Sequence, residues 1–178
     1  NELFGPTFQG EGKSAGMTCS FLRLATCNLH CIWCDTPFTW NWKGSKWQHP
    51  EKFERKNEIH LMTNKMVLEQ LESIGVKSLV ISGGEPFLQQ RPLIQLCEQL
   101  KKLDYWIEVE TNGTLMPQQQ FIDLVDQVNC SPKLSNSGDP VKWRERTEVL
   151  VALSAIEKVN FKFVIITEVD VQQVLYLQ

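Results

Sequence analysis

Residues 19–34 read Cys19-Ser20-Phe21-Leu22-Arg23-Leu24-Ala25-Thr26-Cys27-Asn28-Leu29-His30-Cys31-Ile32-Trp33-Cys34, an apolar stretch followed at once by closely spaced cysteines. The run from Cys19 to Ala25 has the character of a short buried strand. Three thiols within eight residues sit too close together for an ordinary disulfide framework. They are also too few to fill a four-ligand cluster or a structural zinc site. Three ligands leave one metal corner free, and an open coordination position marks a catalytic rather than a structural site. The pattern points to chemistry at an iron. Zinc with a fourth ligand from His30, His49, His60 or Cys130 stays open, although zinc pairs usually come as two separated Cys-x-x-Cys units and this chain has one. A disulfide with a spare thiol is the plainest alternative. Cys19, Cys97 (on a stripe with Leu93, Leu96 and Leu100) and Cys130 read as small buried hydrophobes.

Outward from this loop, strands and helices alternate. Residues 40–60, rich in Trp and Lys, have no clear period and read as an irregular excursion, with Trp40, Trp42 and Trp47 packing over a core edge. Thr63 can cap a helix whose Val67, Leu71 and Ile74 keep helical spacing, and Gly75 can stop it. Residues 76–82 form a buried strand ending in Gly83-Gly84-Glu85-Pro86. A helix over 92–103 leads to a strand over 106–111, ending in Asn112-Gly113. A short helix over 117–125 precedes a strand over 128–131, which ends in Pro132-Lys133. After a turn-prone stretch come a helix over 145–156, a fifth strand over 159–166, a helix over 169–174 and the start of a sixth strand at Tyr176-Leu177.

This alternation argues for an α/β fold with a parallel sheet and right-handed crossovers. The distinctive residues fall at the C-terminal ends of the strands, where active sites sit in such folds. A full barrel runs to about 250 residues, so 178 residues fit a partial (β/α)6 barrel, a single domain over residues 1–178 with the cysteine loop after the first strand. A net charge of −3 gives no basic field for nucleic acid. No apolar run reaches the roughly 20 residues of a membrane span, and no signal-like segment opens the chain. A cysteine trio of this kind fits a reducing cytoplasm.

The Cys27-x3-Cys31-x2-Cys34 motif, followed by Gly83-Gly84-Glu85-Pro86, resembles the radical S-adenosylmethionine (SAM) superfamily. Within it, Phe8-Gln9-Gly10-Glu11-Gly12, Phe21-Leu22-Arg23-Leu24, Cys34-Asp35-Thr36, Glu110-Thr111-Asn112-Gly113 and Ser131-Pro132-Lys133 resemble the 7-carboxy-7-deazaguanine synthase family. The resemblance implies a carbon–nitrogen lyase of 7-deazapurine (queuosine and preQ0) biosynthesis. Such an enzyme contracts the ring of 6-carboxy-5,6,7,8-tetrahydropterin to 7-carboxy-7-deazaguanine with loss of ammonia. It implies a 4Fe–4S cluster on Cys27, Cys31 and Cys34 whose fourth iron takes SAM, with Trp33, Gly84, Glu85, Ser131, Pro132 and Lys133 around that cofactor. It places Mg²⁺ at Thr36, where an ST-turn or cap is the structural alternative.

For the substrate it implies Phe8, Gln9, Gly10 and Ser82, with Arg23 as a clamp on the C6 carboxylate. Glu11 and Glu110 would meet the guanidine-like edge of the pterin. It further implies a reducing partner such as flavodoxin or ferredoxin, and a homodimer. Because the family's members continue with a further helix and tail, the chain is expected to lack that C-terminal segment. A related radical SAM enzyme such as a glycyl-radical activase, or a non-catalytic iron–sulfur or zinc module, is the competing expectation.

Overall fold

The computed structural model describes residues 1–47 and 49–177. Six strands form one open sheet whose spatial order follows the chain: β1 (Glu2–Phe8), β2 (Thr18–Leu24), β3 (Ser78–Gly83), β4 (Trp106–Thr111), β5 (Gln127–Cys130) and β6 (Val159–Phe161). β1 runs antiparallel to β2, and every later pair is parallel. Each crossover therefore advances one place in the same direction. With right-handed connections this stacks the helices on one face and leaves the other face free to curl inward.

The helices are α1 (Arg55–Glu58), α2 (Asn64–Ile74), α3 (Gln90–Lys101), α4 (Gln119–Leu124), α5 (Val141–Arg144), α6 (Thr147–Ser154) and α7 (Glu168–Leu177). Leu79, Ile81, Ile107, Val109 and Val128 of the sheet share one core with Leu71 of α2, Leu100 of α3, Phe121 of α4 and Leu153 of α6. Burying each such side chain contributes about 1.5–3 kcal/mol. Thr63 caps α2 by accepting from the Met66 N–H at 3.3 Å, and Gly75 ends it at φ 77°. That conformation is open to glycine and strained for other residues.

Strand alternation sends the intervening residues to the opposite, inner face. The register lines up Arg23 with Ser82 and Val80 with Glu108 and Gln127. Glu110 lies beside Asn129 and Asn160. The inner face is thus polar, and its floor is a buried knot. The Glu108 carboxylate accepts from Gln9 Nε2 at 2.5 Å, from Asn129 Nδ2 at 2.6 Å and from the Ser14 hydroxyl.

The parallel α/β class stands, and four local expectations are corrected. Residues 2–8 form a strand, because Leu3 packs on the core and Phe4 stacks on Phe21 at 5.4 Å, so the cysteine loop follows the second strand. The last strand ends at Phe161, and the run to Ile166 leaves the ladder. The helix expected over 145–156 begins only at Thr147, with the separate turn α5 before it. Tyr176 and Leu177 finish α7 rather than open a strand; Tyr176 is 86% exposed, so no sheet position claims it. Among the described residues no helix is long and apolar enough to cross a membrane.

Candidate active site

A cleft of about 630 Å³ opens at the C-terminal ends of β2 to β6. Cys27, Cys31 and Cys34 all line it as free thiols. Each sulfur has a polar neighbour from a different part of the chain. Trp40 Nε1 donates to Cys34 Sγ at 3.3 Å, Cys31 Sγ lies 3.4 Å from Asp139 Oδ2, and Asn112 Nδ2 lies 3.9 Å from Cys27 Sγ. Asp139 also accepts from the His30 N–H at 3.0 Å. The His30 ring stacks on Trp47 at 3.4 Å and meets the edge of Trp40 at 5.1 Å. Two of the loop tryptophans therefore clamp the cysteine loop from outside. Burial pushes the Cys27 thiol up to about 12, and that of Cys31 up as well. Thiols so buried stay protonated unless a metal cation replaces the proton.

The loop starts under strain. Thr26 adopts φ 76°, a conformation that is an outlier for a β-branched residue. It is held by the Glu85 N–H, which donates to the Thr26 carbonyl at 2.8 Å. Gly84 sits against the same carbonyl, and a Cβ there would lie 1.8 Å from the Thr26 oxygen. The diglycine therefore lets β3 dock against the cysteine loop. Glu85 itself is fully buried and does not line the cleft. Its carboxylate accepts from the Asn112 N–H and the Thr111 hydroxyl, both at 2.7 Å, and from the Phe87 N–H at 2.9 Å. Glu85, expected around the cofactor, has its side chain held by these three donors of the protein itself, which makes it a positioning residue.

A second group of lining residues is ionic or polar: Arg23, Ser82, Glu110, Glu11 and Lys162. Ser82 Oγ donates to Glu110 Oε2 at 2.6 Å, and Arg23 Nε donates to Glu2 at 2.7 Å. Lys162 pairs with Glu11 and lies 4.0 Å from Glu110 Oε1. Burial lowers the Lys162 ammonium to about 8. Of the expected N-terminal residues, only Glu11 reaches the cleft. Phe8 is 68% exposed, Gly10 lies outside, and the Gln9 amide is bound to Glu108 and, at 3.3 Å, to Glu110. Trp33, Ser131 and Lys133 line the cleft, with Lys133 donating to Ser131 Oγ at 2.9 Å; Pro132 does not line it. Thr36 lines it too, with Oγ1 3.6 Å from Cys34 Sγ and no cap bond to the short 3-10 helix that follows. Lys162 carries a signal in the sequence, a lone cation within the apolar run 161–166. Asp139 carried no local signal.

The profile of the family described as the radical SAM superfamily matches residues 23–135. The 7-carboxy-7-deazaguanine synthase of Bacillus subtilis is 33% identical over 177 residues, covering 96% of this chain and 67% of the relative. That of Pyrobaculum aerophilum is 32% identical over 174 residues, covering 97% and 69%. The chain belongs to the 7-carboxy-7-deazaguanine synthase family of radical SAM enzymes. It spans about two thirds of the length of these relatives. The crystal structure of QueE from Escherichia coli, 21% identical, superposes with a TM-score of 0.56 over 99% of this chain and 87% of that one. That likeness supports the fold.

Radical SAM membership implies a 4Fe–4S cluster and SAM, and the residues fit both. Among the described residues no three His, Cys, Asp or Glu side chains converge on one ion. Three thiols ringing a cleft suit a cluster, in which each thiolate holds a different iron, better than zinc, where ligands meet at one point. Gly84, Trp33, Ser131 and Lys133 line the same cleft as the thiols, where a cofactor bound to the cluster would lie. Hydrogen bonds to cluster sulfurs stabilise the more negative reduced state. Removing the Trp40 donor with Trp40→Phe is therefore expected to lower the cluster's midpoint potential. The shift should be about 40 mV for a bond of about 1 kcal/mol, read by potentiometric titration. An unchanged potential would make Trp40 a packing residue only.

Proposed function

We propose that this protein is a 7-carboxy-7-deazaguanine synthase, a carbon–nitrogen lyase of 7-deazapurine biosynthesis acting on 6-carboxy-5,6,7,8-tetrahydropterin. The carrying observation is that one cleft is lined by the three thiols, by a cation, Arg23, and by a carboxylate, Glu110. A flat substrate with an anionic carboxylate at one end and an N–H-rich edge at the other matches that polarity. An extended peptide, as an activase would take, does not need it. The cluster and SAM, when bound, supply one-electron reduction and hydrogen-atom abstraction.

The chain's own groups bind and orient. The terminal nitrogens of Arg23 take the substrate carboxylate, while Glu2 fixes the guanidinium through Nε at 2.7 Å. Ser82 donates to Glu110 and keeps that carboxylate turned as an acceptor toward the ring edge. Gly84, Ser131, Lys133 and Trp33 hold SAM. The Thr36 hydroxyl, with a substrate oxygen and waters, suits Mg²⁺, which keeps several waters. We further propose a cytoplasmic homodimer reduced by a flavodoxin or ferredoxin.

Arg23→Ala tests the orientation. Loss of a charge-assisted contact of about 1.5–3 kcal/mol is expected to raise KM for the pterin about 10- to 100-fold. Cleavage of SAM to 5′-deoxyadenosine without substrate should continue at the wild-type rate. Loss of both activities would instead assign Arg23 to folding, through its pairing with Glu2.

A further inference from the structure

Lys162 is the first residue after β6, and its N–H still bonds the Cys130 carbonyl at 2.8 Å, so the strand's alternation carries on. Its side chain therefore falls on the inner face, two residues beyond Asn160, and reaches the cleft. There it stands between two carboxylates, paired with Glu11 and 4.0 Å from Glu110 Oε1. Glu110 is fixed by Ser82 on Oε2 and by Gln9 on Oε1. Each carboxylate oxygen has two lone pairs, so both can still accept from a ligand, whereas an ammonium only donates. Side by side, Glu110 and Lys162 present a row of acceptor, acceptor and donor. The 2-amino-4-oxo edge of a pterin presents the complement: the amino group and ring N–H donate, and the 4-oxo group accepts.

We propose that Lys162 is a specificity-determining residue that reads the 4-oxo group of the pterin while Glu110 reads the adjacent N–H groups. This rests on the reading of the cleft as a pterin site. Glu11 holds the ammonium in place beside Glu110. A site built to donate at that position rejects an analogue that puts a donor there, because two facing donors leave both unpaired.

The test is equilibrium binding, followed by ligand fluorescence, of two stable oxidised compounds that differ at position 4 and in the N3 proton that goes with the 4-oxo group. These are 6-carboxypterin and 2,4-diaminopteridine-6-carboxylate. The wild-type protein is expected to prefer the 4-oxo compound by about 10-fold or more, the worth of one charge-assisted hydrogen bond. Lys162→Met should cut that preference about 10-fold, any remainder being Glu110's reading of the N3–H, and Lys162→Arg, which keeps a cation, should retain most of it. Equal weakening of both compounds by Lys162→Met, with the preference intact, would overturn the proposal and leave Lys162 as a partner of Glu11. Wild-type protein that binds both equally would overturn it with no variant needed, while the pterin reading stands. Binding of neither compound would overturn the pterin reading and the proposal together.

Discussion

Cys31→Ala is expected to yield a folded protein that holds no 4Fe–4S cluster after anaerobic reconstitution. Iron should fall from about four per chain to a trace, the visible absorption of the cluster should vanish, and SAM cleavage should drop below detection. Cys31 is the middle ligand of the loop and is buried beside Asp139. With it gone, two thiols remain, and the cluster is left with two unprotected irons. The substitution deletes one small side chain, so the metal-free variant should melt close to the metal-free wild type. That comparison separates ligand loss from misfolding. A full cluster in the variant would contradict the ligand assignment.

Glu85→Leu should be the most damaging change outside the cysteines. It leaves the N–H groups of Phe87 and Asn112 and the hydroxyl of Thr111 without their acceptor in a fully buried site. Each buried donor so stranded costs about 1–3 kcal/mol, and a total of about 3–5 kcal/mol is expected in urea unfolding of the metal-free protein. The damage should also spread to the cluster. Asn112, positioned by Glu85, donates to Asn28 Oδ1 at 3.0 Å and faces Cys27 Sγ, so the loop loses its brace.

Glu85→Gln removes the titration. Burial raises the Glu85 carboxyl above its ordinary 4.5, so above that pH the native state holds a proton that the unfolded chain has released. The wild type should therefore lose stability as pH rises from 4.5 toward the folded value. The Gln variant should lack that component of the slope. Parallel slopes in the two proteins would mean that Glu85 is ionised throughout.

The legible parts of the molecule were those encoded by periodicity or tight spacing. α2 was bounded by its own cap and stop, Thr63 and Gly75. The cysteine loop was defined by three residues in eight. β1 was not legible, because Glu2, Pro6 and Gly5 interrupt its apolar pattern and its pairing with β2 is a tertiary fact. The helix over Tyr176-Leu177 was misread because two apolar residues carry no period. Within the site, the same-strand pair Glu108 and Glu110 could be placed on one face by alternation. Only the fold shows that Gln9 bonds both, which takes Gln9 out of the cleft. Glu85 sits in a strand-end motif that suggests a cofactor contact, yet two of its three donors, Thr111 and Asn112, lie over 25 positions away. Asp139 reaches the Cys31 sulfur from 108 positions away, a proximity that no local pattern encodes.

The most direct measurement is product analysis. The protein is reconstituted with iron and sulfide, reduced anaerobically, and given SAM, Mg²⁺ and 6-carboxy-5,6,7,8-tetrahydropterin, with products followed by mass spectrometry. The expected result is 7-carboxy-7-deazaguanine, formed with release of ammonia. Steady formation of 5′-deoxyadenosine with no deazaguanine product from a fully loaded cluster would contradict the proposed substrate and leave only the radical SAM chemistry.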